Sequence, residues 1–161
     1  MKSELAGKKI TVLGAARSGI AVAKLLHKAG ASVFVSDSAS ADNKTSEASE
    51  LKQAGIKFEF EQHSPIAHEA ELVVLSPGIS VQSELVQSFI KRNVPVLSEI
   101  EIAYWFCESP IIAVTGSNGK TTTTTLIGEM LKKKYPQAIV AGNIGTAFSE
   151  YVEDSSPMKI I

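Results

Sequence analysis

Short apolar runs alternate with segments of helical period along almost the whole chain, and that alternation constrains the fold more than any other feature. "KKITVLG", Lys8–Gly14, reads as a buried strand. Val22, Leu25, Leu26 and Ala29 then recur at i, i+3, i+4 and i+7, one face of a helix that Gly30 stops. "SVFVSD" (Ser32–Asp37) is a second strand, "TSEASELKQAG" a polar helix ending at Gly55, and "KFEFE" a half-buried strand. "ELVVLSPG" is a central strand broken at Pro77-Gly78, followed by a helix over roughly Ser83–Arg92 and the short strand "VPVL". A strand–helix series of this kind predicts an α/β fold: a Rossmann-like parallel sheet with helices on both faces.

Ser98 and Glu101 have the spacing of a capping box and open a helix through Phe106. The domain boundary is placed there, giving residues 1–97 and 98–161. The second unit starts the series again: strand Ile111–Thr115, a loop, helix Thr121–Lys134, strand Ala138–Ala141, then "GNIG" and the strand-like "MKII" (Met158–Ile161). About 60 residues are too few to close a nucleotide-binding α/β domain, so this unit reads as the truncated start of one. Its uncovered apolar edges would invite self-association.

Composition excludes several classes. The 44% hydrophobic content supports a buried core, while 16 Lys and Arg against 17 Asp and Glu give no basic field for nucleic acid or an anionic membrane. One cysteine, Cys107, cannot form an internal disulfide, and His27, His63 and His68 lack zinc-site spacing. With no signal sequence or membrane span in view, a cytoplasmic protein is expected.

Two glycine turns carry the chemistry. Gly116-Ser117-Asn118-Gly119-Lys120-Thr121 lies between a strand and a helix, the setting of a phosphate loop. Glycines let backbone N–H groups converge on an anion, and the helix N-terminus adds about half a positive charge. Lys120 would neutralise the β- and γ-phosphates of ATP, and the Thr121 hydroxyl would ligate Mg²⁺, with Thr122 beside it. The run Thr121–Thr125 costs roughly 0.5 kcal/mol per residue relative to alanine in a helix. Hydroxyl chemistry accounts for its first members, and packing is the expectation for Thr123–Thr125. Val114 stands where the general phosphate-loop pattern has its first glycine.

"LGAARSG" places Gly14, Ala16 and Gly19 at dinucleotide-turn spacing, with Asp37 at the end of the next strand. That arrangement suits NAD, another nucleotide-like ligand, or a turn needed only for packing. Lys132–Lys134 complement a helix C-terminus, Tyr104, Trp105 and Phe106 pack at the domain junction, and Cys107 is a structural thiol.

"GAARSG", "SPGI" (Ser76–Ile79), "TGSNGKTT" (Thr115–Thr122), "GNIG" (Gly142–Gly145) and "SEIEIAYWF" together resemble the Mur ligases of peptidoglycan synthesis. Within that family the pattern is most similar to the member that adds D-glutamate to UDP-N-acetylmuramoyl-L-alanine. The resemblance implies that the first domain binds the UDP part of the sugar substrate through Gly14, Arg17, Ser18, Asp37, Ser76, Pro77 and Gly78. It implies ATP on Gly116–Thr122, magnesium on Thr121, and Asn143 near the reacting carboxylate. The implied reaction is an ATP-dependent amide ligation through an acyl phosphate, with a fragment of this length binding UDP-sugar but inactive alone. One departure is visible: the family often has an Arg shortly after the Asp, and here Ser38-Ala39-Ser40 follow Asp37. Alternatives are another Mur ligase, an NAD-binding oxidoreductase domain, or a non-catalytic nucleotide switch.

Overall fold

A computed structural model describes residues 4–143 and 145–152. Its centre is a parallel five-stranded sheet of order β3-β2-β1-β4-β5. The strands are β1 (Lys9–Leu13), β2 (Ser32–Asp37), β3 (Lys57–Phe60), β4 (Leu72–Leu75) and β5 (Val96–Ser98). β1 is the middle strand, with Lys9 opposite Ser32 and Leu13 opposite Ser36 on one side, and Leu13 opposite Leu75 on the other. The unbroken apolar character of "ITVL" and "LVVL" follows from this position, because parallel strands with both faces covered bury every residue.

Helices α1 (Arg17–Lys28) and α2 (Thr45–Gln53) join β1 to β2 and β2 to β3, while α3 (Glu84–Lys91) joins β4 to β5. The chain thus winds outward in opposite directions from the centre of the sheet. Right-handed crossovers then require α1 and α2 on one face and α3 on the other. Two separate cores show this arrangement. Ile10, Val12, Val22, Leu26, Val35, Leu51 and Val74 pack with Ile102 on the first face, and Leu13, Val73, Val86 and Phe89 pack on the second. On the second face the Thr11 hydroxyl, at a buried position, donates to the Ala67 carbonyl at 2.9 Å and ties in the β3–β4 connection.

Serine caps set two helix starts. Ser83 Oγ accepts from Val86 N at 3.4 Å for α3, and Ser98 Oγ accepts from Glu101 N at 3.2 Å for α4 (Glu99–Phe106). The second is the cap expected from S-x-x-E. Trp105 and Phe106 are half-buried against the first core, whereas Tyr104 is exposed.

Beyond α4 the structure corrects the sequence reading. Helix α5 (Lys120–Lys132) forms where expected, but neither Ile111–Thr115 nor Ala138–Ala141 is a strand. A strand exists only through a ladder with a neighbour, and among the described residues neither segment pairs with another strand. Thr121, Thr122, Thr123 and Thr125 are exposed, so the packing expected for Thr123–Thr125 is not found. Thr124 instead turns its hydroxyl onto the Lys120 carbonyl at 2.8 Å. The segment expected as strand Met158–Ile161 lies outside the described residues, as does Ile144 of "GNIG". A short helix, α6 (Phe148–Tyr151), docks Phe148 and Val152 against Leu25 of α1 and Ala103 of α4.

Candidate functional site

The C-terminal ends of β1, β2 and β4 converge on one edge of the sheet. Between β1 and β4 the chain reverses its direction of winding, and in open parallel sheets such a switch point leaves a crevice for ligands. Gly14 follows β1 there with φ +93°, a left-handed conformation suited to glycine. Its α-carbon faces Ser76, so that a Cβ at position 14 would meet Ser76 Cβ at 3.0 Å and Ile79 Cγ1 at 3.1 Å. Gly19, in the first turn of α1, lies directly over the Gly14 carbonyl. The two glycines let helix, turn and β4 crowd together.

Helix α1 begins at this crevice. Its N-cap, Ala16, supplies no side-chain bond, and its first turn holds no acidic residue. The opening N–H groups of a helix have no partner within it and present partial positive charge. Beside them sits Ser76, only 2% exposed, whose hydroxyl has no hydrogen-bond partner among the described residues. Buried hydroxyls are normally satisfied, and this one stands with those of Ser64 and Ser149 as unpartnered among the described residues.

Asp37 also arrives here, in a role the sequence did not reveal. Its Oδ2 accepts from Ala15 N at 2.6 Å and its Oδ1 from Ala39 N at 2.8 Å. The carboxylate therefore pins the glycine turn to the loop after β2, and only its remaining lone pairs could face a ligand. Arg17 is exposed and Ser18 half-buried at the start of α1, while Pro77 and Gly78 are exposed just past Ser76. The structure thus brings Gly14, Arg17, Ser18, Asp37 and Ser76–Gly78 to one edge.

Sequence reasoning missed Lys44. It ends a 3-10 turn, Ala41–Lys44, and its Nζ donates to the Ala15 carbonyl and to Glu47 Oε1, both at 3.1 Å. Glu47 is held below the usual carboxyl range, first by its own backbone N–H and then by Lys44, although burial and, more weakly, the Asp37 charge push the other way. A lysine in a polar loop seven residues past Asp37 carries no motif, so nothing local signalled it.

A second cluster missed by sequence lies at the β3 edge. Ser36 Oγ donates to Glu59 Oε1 at 2.8 Å and lies 2.7 Å from His63 Nδ1. Burial pushes the Glu59 carboxyl up, but hydrogen bonds from Ser64 and Ser36 and the His63 charge together hold it below the usual range. Ser36 is fully buried, so these residues fasten a loop rather than meet a substrate.

The phosphate-loop residues occupy a separate, open position. Gly116 and Gly119 take φ +142° and +76°, and Gly119 caps α5 without a side-chain bond. Lys120 folds back over the loop, donating to the Gly116 carbonyl at 2.6 Å and the Ser117 carbonyl at 3.3 Å. Positive-φ glycines, an uncapped helix N-terminus and an ammonium on the loop are a donor set that fits a polyphosphate. Asn118 and Thr121 are exposed beside it. Asn143 is exposed on the loop leading to α6, where Gly142 N donates to the Thr146 carbonyl at 3.1 Å. Among the described residues no three His, Cys, Asp or Glu side chains gather to hold a metal, and no helix is long and apolar enough to cross a membrane.

Comparison with known proteins bears on both halves. Residues 8–98 match the Mur ligase MurD-like, N-terminal domain, and residues 114–159 match the Mur ligase middle domain. A UDP-N-acetylmuramoylalanine–D-glutamate ligase of Salinibacter ruber is 43% identical across 98% of this chain and 35% of its own length. The protein of the same name from Pelotomaculum thermopropionicum is 42% identical across 100% of this chain and 36% of its own. The chain therefore spans about a third of the length of the curated relatives it matches. Among solved structures, a murein peptide ligase from Psychrobacter arcticus superposes over 82% of this chain and 27% of its own, with TM-score 0.53 and 22% identity. A UDP-N-acetylmuramate-alanine ligase from Thermotoga maritima covers 81% of this chain and 30% of its own, with TM-score 0.50 and 24% identity. At those identities the two structures speak to the fold alone.

Proposed function

The chain belongs to the Mur ligase family, and from that premise we propose that residues 1–97 bind the UDP portion of a sugar substrate while residues 98–161 supply the phosphate loop for ATP. The parent activity is addition of D-glutamate to UDP-N-acetylmuramoyl-L-alanine in the cytoplasm, a step of peptidoglycan precursor synthesis. Relatives bearing that activity's name, 42–43% identical over nearly all of this chain, support the reading.

The observation that carries it is the open N-terminus of α1 at the glycine turn, which has no side-chain cap and no acid in its first turn, with Ser76 Cβ packed against Gly14. A diphosphate oxygen seated on the first turn of α1 would accept from the Arg17, Ser18 and Gly19 N–H groups and from Ser76 Oγ. Asp37 then orders the turn and offers its remaining lone pairs to a uracil N–H. Pro77 and Gly78 line the same edge.

On the other half, Lys120 would leave its loop carbonyls for the ATP phosphates held by the N–H groups of Gly116–Thr122. Magnesium, bound through Thr121, would supply charge neutralisation there. Phosphoryl transfer to the alanine carboxylate gives an acyl phosphate, which the D-glutamate amine attacks, releasing ADP and phosphate over the whole reaction. The residues described contribute positioning and electrostatics to this chemistry, and Asn143 would orient the substrate near its reacting carboxylate.

Titrating the 161-residue chain with UDP and, separately, with NADH tests the first half. Amide resonances of Gly14, Ser18, Gly19 and Ser76 are expected to move with UDP. Movement with NADH and none with UDP would instead favour a dinucleotide-binding domain.

A further inference from the structure

We propose that Lys44 is the cation that pairs with the phosphates of the nucleotide at the switch-point turn. This assignment rests on the UDP reading above and adds to it a residue outside every motif. Its ammonium sits on the Ala15 carbonyl, within the turn itself and one residue before the α1 N-cap. The charge therefore sits on the turn that leads into the open N–H groups of α1. Ser76, whose buried hydroxyl has no partner among the described residues, packs its Cβ against Gly14 of the same turn.

The side chain is held there, not free. It is 16% exposed, and two of its three donors are taken, by Ala15 and by Glu47. The third donor remains for a ligand. Around it the formal charges of Asp37, Glu47, Lys44 and Arg17 sum to zero, so where each charge sits decides what an anion meets. Selectivity must then come from geometry, and Lys44 is the cation whose position the turn fixes. Arg17, by contrast, is exposed at the start of α1.

A purely mechanical role is the competing account: Lys44 could simply strap the β2–α2 loop to the glycine turn. Lys44→Met keeps the aliphatic stem and removes the charge, while Lys44→Arg keeps the charge. UDP affinity of the 161-residue chain is measured at low and high salt for wild type and both variants, alongside thermal midpoints without ligand. Lys44→Met is expected to weaken UDP binding about tenfold and to flatten its salt dependence. Lys44→Arg should retain most of the affinity, and the unliganded midpoint of Lys44→Met should stay near wild type. The assignment is overturned if Lys44→Met binds UDP as wild type does with the same salt dependence. Failure of Lys44→Arg to rescue, or loss of affinity only in step with a lowered midpoint, also overturns it in favour of the strap. A wild-type chain that ignores UDP would instead sink the UDP reading, and this assignment with it.

Discussion

At position 19 the backbone of α1 passes directly over the Gly14 carbonyl, and an added methyl would collide with that oxygen. Two effects compete in Gly19→Ala. Alanine is favoured over glycine in a helix by about 1 kcal/mol, while forcing a methyl into a packed contact costs about 1–3 kcal/mol or more. The obstacle here is backbone, which cannot swing aside as the end of a side chain can. Ser76 Cβ, at 3.4 Å from the same methyl, closes a second direction. Steric cost should therefore win, and Gly19→Ala is expected to destabilise the chain by about 2 kcal/mol in urea unfolding. A variant as stable as wild type would mean that the turn yields more easily than its geometry implies. The spacing of Gly14 and Gly19 signalled a turn in advance, with packing as one of three accounts of it. The dual hold of Asp37 on Ala15 and Ala39 was not legible, because a carboxylate at a strand end looks the same whether it faces a ligand or the backbone.

Elements were readable where their own residues carried the signal and their partners were near. β1, β2 and β4 are apolar runs, and the sheet that completes them is built from the same hundred residues. Ile111–Thr115 carries an equally apolar pattern but has no ladder among the described residues, since pairing is a property of two segments and not of one. Attachment of α6 was invisible for a similar reason. It depends on Glu99, only 2% exposed, whose Oε1 accepts from Ser149 N at 2.9 Å across a sequence gap that no local pattern bridges. A four-residue helix has too few internal bonds to hold itself, so this carboxylate, with Phe148 and Val152, is what fixes it to α4 and α1. Glu99→Leu would leave a buried N–H unpaired, a cost of about 1–3 kcal/mol confined to the α6 attachment. Hydrogen exchange should then show lost protection at residues 148–151 while β1 and β4 remain slow. If protection at those residues is unchanged, the Phe148 and Val152 contacts hold α6 alone.

Across the whole molecule, apolar burial is distributed unevenly. Residues of the five-stranded sheet and α1–α4 supply both large cores, with Phe89, Leu26, Leu51 and Ile102 fully buried. Helix α5 has one buried residue, Gly128, lying against Val140, while Leu126 is 59% and Met130 71% exposed. A helix of 13 residues is marginal in water when it lacks tertiary support. Stability of this chain should therefore reside in the first hundred residues, and α5 should open without unfolding the sheet. Met130→Gln is accordingly expected to change the unfolding free energy by less than about 0.5 kcal/mol. Phe89→Ala, which empties a site between Val86, Val73 and the stacked His68, should cost about 3–5 kcal/mol. Native-state exchange supplies the direct measurement: amides of 120–132 should exchange well before those of β1, β2 and β4. Should α5 instead exchange as slowly as the sheet, its exposed leucine and methionine must be covered by something outside this fold. Dilution then identifies the cover, because protection supplied by a second copy falls with concentration and protection intrinsic to one chain does not.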